Sequence, residues 1–249
     1  MMKILTVLGT RPEAIKCLPV LVALRDAPSI ESVICDTGQH RDMTKPMFAL
    51  WGMEPNYRLD LMQPGQSLTG LMVRALSQLE PVLNEVKPDR VLVQGDTLTA
   101  YSAAMAAFLA KIPVGHIEAG LRSHNLMAPW PEEFNRRAIG ITTDLHFAPT
   151  EQSKADLLAE NYPEAQIHVT GNTVIDALLM FRNKIHSNIE LKTELDTRFD
   201  MLDNGKRLIL VTAHRRENFD GGIEGICAAL KSLAERGDCE LIFPVHPNP

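Results

Sequence analysis

The sequence lacks a long apolar run, an excess of positive charge, and cysteines at metal-ligand spacing. No stretch reaches the roughly 18 consecutive apolar residues of a membrane-spanning helix. The first apolar run, residues 3–8, reads as a strand and is too short for a signal peptide, so a cytoplasmic location is expected. A formal charge of -6 over 249 residues gives no general attraction to nucleic acid or anionic lipid; an anionic ligand would need a local basic pocket. Cys17, Cys35, Cys227 and Cys239 lie inside apolar runs, the pattern of reduced core thiols, and no metal site is expected. There is also no internal repeat, low-complexity tract, G-x-G-x-x-G fingerprint or P-loop lysine, so no cofactor is expected and simple phosphoryl transfer is disfavoured. What remains is an ordinary globular composition, 45% hydrophobic and 22% charged.

The informative stretch is 90–137. Two short apolar runs, Val91-Leu92-Val93 and Ile112-Pro113-Val114, are each followed by glycine and an acid, Asp96 in one case and Glu118 in the other. Alanine-rich residues 100–111 between them are too long for a hairpin and predict a crossover helix joining parallel strands. Asp96 and Glu118 then leave the sheet at one edge, beyond the carboxyl ends of the strands, where ligands of open α/β sheets bind. Strands about 4.8 Å apart let the two carboxylates share a cleft. Glu132 can join them from the loop 120–131, which is aperiodic and reads as an active-site loop. A simpler reading of Asp96 is the cap of the following helix, and of Glu133 an acid in the first turn of the helix opened by Pro131.

Around that centre the chain alternates strand and helix. Lys3–Leu8 is a strand; Thr10 and Glu13 form a capping box for the next helix, with Pro12 in its first turn, and Arg11 and Lys16 lie nearby. Val33–Asp36 ends in the polar loop Thr37–Arg41. Leu68, Leu71, Ala75, Leu79 and Leu83 mark one helix face. Leu145–Ala148, a helix from Thr150, Ile167–Val169 and a helix 173–185 follow. Residues 186–206 are polar with weak patterning and read as a linker. Leu208–Val211, a helix 221–236 and Leu241–Val245 begin a second α/β unit. Two strands and one helix cannot bury a core of their own, so the second unit reads as incomplete. The predicted organisation is 1–170, a connection 171–206, and 207–249.

The strand-end residues are Arg11, Lys16, Asp96, Glu118 and Glu132, with His214, Arg215 and Arg216 in the second unit. Three acids in one cleft cannot all ionise freely, and crowding with burial raises at least one pKa; separated pKa values are what acid–base chemistry requires. The cations suit phosphate. His214, flanked by two arginines, is favoured in its neutral form and can act as a base, although a helix-capping histidine fits the pattern as well.

Several segments carry a resemblance: Gly9-Thr10-Arg11-Pro12-Glu13-Ala14-Ile15-Lys16, Gly95-Asp96-Thr97, Gly115-His116-Ile117-Glu118-Ala119-Gly120-Leu121-Arg122, Pro129-Trp130-Pro131-Glu132-Glu133, Thr170-Gly171-Asn172-Thr173, His214-Arg215-Arg216-Glu217-Asn218 and Val245-His246-Pro247-Asn248-Pro249. In this order and register the chain resembles the bacterial non-hydrolysing UDP-N-acetylglucosamine 2-epimerases. The resemblance implies a GT-B-like α/β fold of two Rossmann-like parallel-sheet domains, the second incomplete in this chain. It implies a homodimer interconverting UDP-N-acetylglucosamine and UDP-N-acetylmannosamine, through UDP elimination to 2-acetamidoglucal and re-addition, for cell-surface polysaccharide precursors. Asp96, Glu118, Glu132 and His214 match the family's catalytic positions, and Arg11, Lys16, Arg136 and Arg215 are assigned to substrate binding. Gln39, His40, Gln66 and His246 are assigned to an activating second substrate molecule. Gln94 stands where a histidine is common before Gly-Asp-Thr, and Leu98 and Leu126-Met127-Ala128 are further departures. The family's Gly-Gly-x-Gln-Glu-Glu segment does not occur, so the 249 residues alone are expected to be inactive. The competing readings are a hydrolysing epimerase, a GT-B glycosyltransferase, and a non-catalytic sugar-nucleotide-binding protein.

Overall fold

The computed structural model describes residues 1–39, 41–63, 65–202, 205–212 and 222–244, without the side chains of 41–43. The chain divides into two compact units, Met1–Arg182 and Asn183–Pro249.

The first unit is built on a seven-stranded parallel sheet in the order β3-β2-β1-β4-β5-β6-β7. Its strands are β1 (Met2–Leu8), β2 (Ile30–Asp36), β3 (Tyr57–Arg58), β4 (Arg90–Gln94), β5 (Val114–Ile117), β6 (Leu145–Ala148) and β7 (Ile167–Val169). The helices between them are α1 (Arg11–Asp26), α2 (Arg41–Leu50), α3 (Leu68–Val86), α4 (Leu98–Leu109), α5 (Glu132–Thr142) and α6 (Glu151–Ala159), and α7 (Thr173–Ser187) follows β7. Side chains alternate along each strand, so the sheet is covered on both faces. Leu5 and Val7 of β1 join Val91 and Val93 of β4 in one core cluster with α3 and α4. Ile4, Leu8 and Leu92 point the other way, into a cluster with α1 and Phe48 of α2. The winding direction reverses between β1 and β4, and a topological switch point of this kind is where open α/β sheets leave a crevice for ligand.

Three elements depart from the sequence pattern. The strand placed at Ile112–Val114 runs from Val114 to Ile117, with Gly115 and His116 inside it. Gly115 pairs with Leu92, and a Cβ there would come within 2.6 Å of Leu92 Cδ2, so a side chain at 115 would make Leu92 shift. Helix α2 occupies residues beyond the polar loop at 37–41, and β3 is a two-residue edge strand. The first unit also continues past 170. Its α7 buries Ala177, and Phe181 meets Trp51 edge to face at 5.9 Å.

In the second unit the polar stretch read as linker contains α8 (Ile189–Arg198), followed by β8 (Arg207–Leu210), α9 (Gly222–Ala234) and β9 (Cys239–Ile242). The strands β8 and β9 pair in parallel. Helix α8 buries no residue. It is held by the Asn188 cap on Leu191 N–H and an i,i+4 pair between Lys192 and Asp196, neither of which leaves an apolar period.

Candidate active site

The turns after β1, β4 and β5 meet at the carboxyl edge of the sheet. The capping box of α1 forms: Thr10 Oγ1 accepts from Glu13 N–H at 3.4 Å, and Glu13 Oε2 accepts from the Thr10 and Gly9 N–H groups at 2.6 and 3.0 Å. The other Glu13 oxygen accepts from Thr97 Oγ1 at 2.6 Å. One buried carboxylate thus ties the β1–α1 turn to the β4–α4 turn. Burial raises the Glu13 pKa, against its hydrogen bonds to Thr97, Thr10 and Gly9.

Thr97, not Asp96, caps α4, accepting from Ala100 N–H at 3.0 Å. The Asp96 carboxylate is therefore released from capping. Its backbone carbonyl accepts from Asn135 Nδ2 at 2.9 Å, and its side chain pairs with Arg136 at 2.5 Å. Burial lifts the Asp96 pKa. Arg136 opposes the lift, Glu132 and Glu118 add to it, and Lys16 opposes it more weakly. Asp96, Glu118, Glu132, Lys16 and Arg136 therefore occupy one electrostatic neighbourhood. Glu132, the first residue of α5 and half-buried, forms no hydrogen bond or ion pair with the described residues.

Glu118 follows β5 with φ of 68°, a left-handed conformation rare for a residue with a side chain. Its carboxylate accepts from Lys16 Nζ at 2.8 and 2.6 Å, from Asn172 Nδ2 at 2.9 Å, and from Gln94. Beneath it His116 is buried, with Nε2 2.7 Å from the Gly95 carbonyl oxygen. Burial depresses its pKa to about 3, so the ring is neutral and braces the Gly95 turn from below.

Glu133 is fully buried, not a solvated acid of a first turn. It accepts from the N–H groups of Ser123 and His124 at 3.0 and 3.3 Å and lies 3.7 Å from Arg136. Arg122 forms two 2.8 Å bonds with Glu160. The 120–131 loop is thus tied down at both ends of its first half. A buried role for Glu133 was hidden because glutamate in a first helical turn satisfies the dipole without any tertiary contact.

Arg11 opens α1 and is exposed. Gln39 Oε1 accepts from Thr99 Oγ1, in the first turn of α4, at 2.8 Å. Gln66 bonds to its own loop and to α3, accepting from Gln63 N–H at 3.0 Å and from Arg74, with Nε2 3.0 Å from the Met62 sulfur. His40, His214, Arg215 and His246 lie outside the described residues. Among the described residues no cluster of three or more His, Cys, Asp or Glu could hold a metal ion, and no helix is long and apolar enough to cross a membrane.

A sequence model of the UDP-N-acetylglucosamine 2-epimerase family matches residues 22–249. The chain is 51% identical to the UDP-N-acetylglucosamine 2-epimerase of Yersinia pestis, over all of this chain and 66% of that one. The crystal structure of the Neisseria meningitidis UDP-GlcNAc 2-epimerase bound to UDP-GlcNAc superposes with a TM-score of 0.94 at 46% identity, covering 100% of this chain and 67% of that one. The lipopolysaccharide outer core galactosyltransferase WaaB shares the fold alone, at 14% identity and a TM-score of 0.56 over 97% of this chain and 68% of that one. The chain spans about two thirds of the length of the curated relatives it matches.

Proposed function

Because this chain belongs to the UDP-N-acetylglucosamine 2-epimerase family, we propose that the protein interconverts UDP-N-acetylglucosamine and UDP-N-acetylmannosamine without hydrolysing them. The observation that carries the reading is the Asp96 neighbourhood: a carboxyl whose pKa is raised, a second carboxylate at Glu132 with no hydrogen bond among the described residues, and cations beside them. As the C1–O bond to UDP lengthens, positive charge builds at C1 and acidifies the hydrogen on C2. A carboxylate takes that proton, the C1–C2 double bond of 2-acetamidoglucal forms, and UDP leaves with the C1–O electron pair. Return of a proton to the other face of C2, with attack of UDP oxygen on C1, gives the epimer. Two separately placed carboxyl groups meet the demand for proton transfer at both faces. Lys16 and Arg11 supply positive charge near the sugar and diphosphate. His214, Arg136 and Arg215 keep the roles that the sequence suggests.

The proposal extends to a cytoplasmic homodimer, activated by a second substrate molecule through Gln39, His40, Gln66 and His246, feeding polysaccharide precursor synthesis. The second unit buries so little surface that the 249 residues alone are expected to turn over poorly. The test incubates UDP-N-acetylglucosamine in heavy water with two proteins. One is this chain; the other is a chimera whose remaining third comes from the Yersinia relative. UDP-N-acetylmannosamine carrying deuterium at C2 supports the proposal. Free N-acetylmannosamine plus UDP would establish hydrolysis, glycosyl transfer to an acceptor a transferase, and binding without turnover a sensor.

A further inference from the structure

We infer that Asn172 is a positioning residue for Glu118, with Gln94 as its counterpart on the other carboxylate oxygen. A carboxylate offers about four lone-pair sites. On Glu118 all are occupied: Oε1 accepts from Lys16 and Asn172, and Oε2 accepts from Lys16 and Gln94. The side chain is only 9% exposed, on a backbone held at φ of 68°. Such a group is held in one orientation by its donors. It anchors Lys16 beside Asp96, and its part in the chemistry rests on the proposed epimerisation.

Asn172 does two things with one amide. Its Nδ2 donates to Glu118 at 2.9 Å, while its Oδ1 accepts from Val174 N–H at 3.1 Å and caps α7. The two bonds define the amide's orientation, because the flipped amide would set oxygen against carboxylate and NH2 against N–H. The first turn of α7 is thereby fastened to an acid 54 residues earlier in the chain. Gln94, at the end of β4, does the same from the neighbouring strand without carrying a cap.

The double role supplies a clean test, because serine is as good a helix cap as asparagine but is too short to reach Glu118 and adds no charge. Asn172→Ser and Gln94→Met are made in whichever form turns over UDP-N-acetylglucosamine, the 249-residue chain or the chimera. The expected result for Asn172→Ser is a kcat loss of about 100-fold, the scale of a misplaced catalytic geometry, with KM within about twofold and an unchanged melting temperature; Gln94→Met should show the same kcat loss. Asn172→Ala should lose kcat and melting temperature together. Normal kcat in both Asn172→Ser and Gln94→Met, or a loss that only tracks the unfolded fraction, overturns the inference. A readout independent of turnover uses the 249-residue chain: the side-chain amide NMR signals of Asn172 and Gln94 should both move on Glu118→Gln. If they move and no form turns over substrate, the epimerase reading fails while the positioning geometry stands. If they stay fixed, the geometry itself is refuted.

Discussion

The two units of this chain use the same local grammar with opposite outcomes. In Met1–Arg182, parallel strands alternate their side chains into two core clusters, and Leu5, Leu8, Val91 and Val93 are almost fully buried. In Asn183–Pro249, β8 and β9 pair with the same parallel register, yet among the described residues only Cys239 is buried. Leu208 and Leu210 of β8 remain 52% and 71% exposed. Parallel strands need apolar cover on both faces, and two strands with two helices cannot provide it. The difference shows why the acid cluster sits where it does. Holding several like charges close together requires turns that a packed sheet has already fixed.

The sharpest way to break the comparison is to remove one acid from the packed unit. Asp96→Asn should lower C2 deuterium incorporation by about 10²- to 10⁴-fold, while substrate binding by calorimetry is retained; undiminished exchange would take Asp96 out of the chemistry. Next comes core truncation. Leu79, 1% exposed, should cost about 2–5 kcal/mol when changed to alanine. Leu210→Ala, at an exposed site of the other unit, should stay within about 0.5 kcal/mol. Urea denaturation of both variants decides it, and equal losses would mean that the units are equally packed.

Acid stability gives a smaller effect. Burial, the largest cause in each case, depresses His116 to about 3 and His146 to about 4, from an ordinary 6.5. Their stabilisation is present above pH 6.5. It is lost as pH falls towards the folded values, because only the unfolded chain takes up those protons. Glu13 and Asp96 have raised pKa values and act in the opposite sense, their contribution growing as they protonate. The urea midpoint should therefore drop between pH 7 and pH 5, and His146→Phe should flatten that slope. An unchanged slope in His146→Phe would contradict burial of that neutral ring. Smallest is Asn188→Ala at the cap of α8, expected to cost about 1 kcal/mol. Hydrogen exchange should show it in α8 alone; a loss of protection in β1 or β4 would show that the two units unfold as one.

Much of this was legible in residue order. The Thr10–Glu13 box, the α3 face and the strand–helix alternation all rest on near neighbours along the chain, and periodicity reports such neighbours directly. Helix α8 was not legible, because it is held by a cap and a charge pair and buries nothing. The start of β5 was misplaced because Gly115 and His116 look like a turn, although Gly115 lies in the strand, close against Leu92. Asp96 read equally well as a cap until Thr97 was seen to fill that place.

The sequence by itself determined a parallel α/β chain whose acids and cations gather at one sheet edge. Strand direction and crossover length follow from local pattern alone. Only the tertiary structure decided which charge meets which: Lys16, Gln94 and Asn172 converge on Glu118, Glu13 reaches Thr97, and Glu133 holds the loop of Ser123. These partners lie up to 102 residues apart. Strand register and helix packing bring them together, and neither leaves a trace in the spacing of residues along the chain.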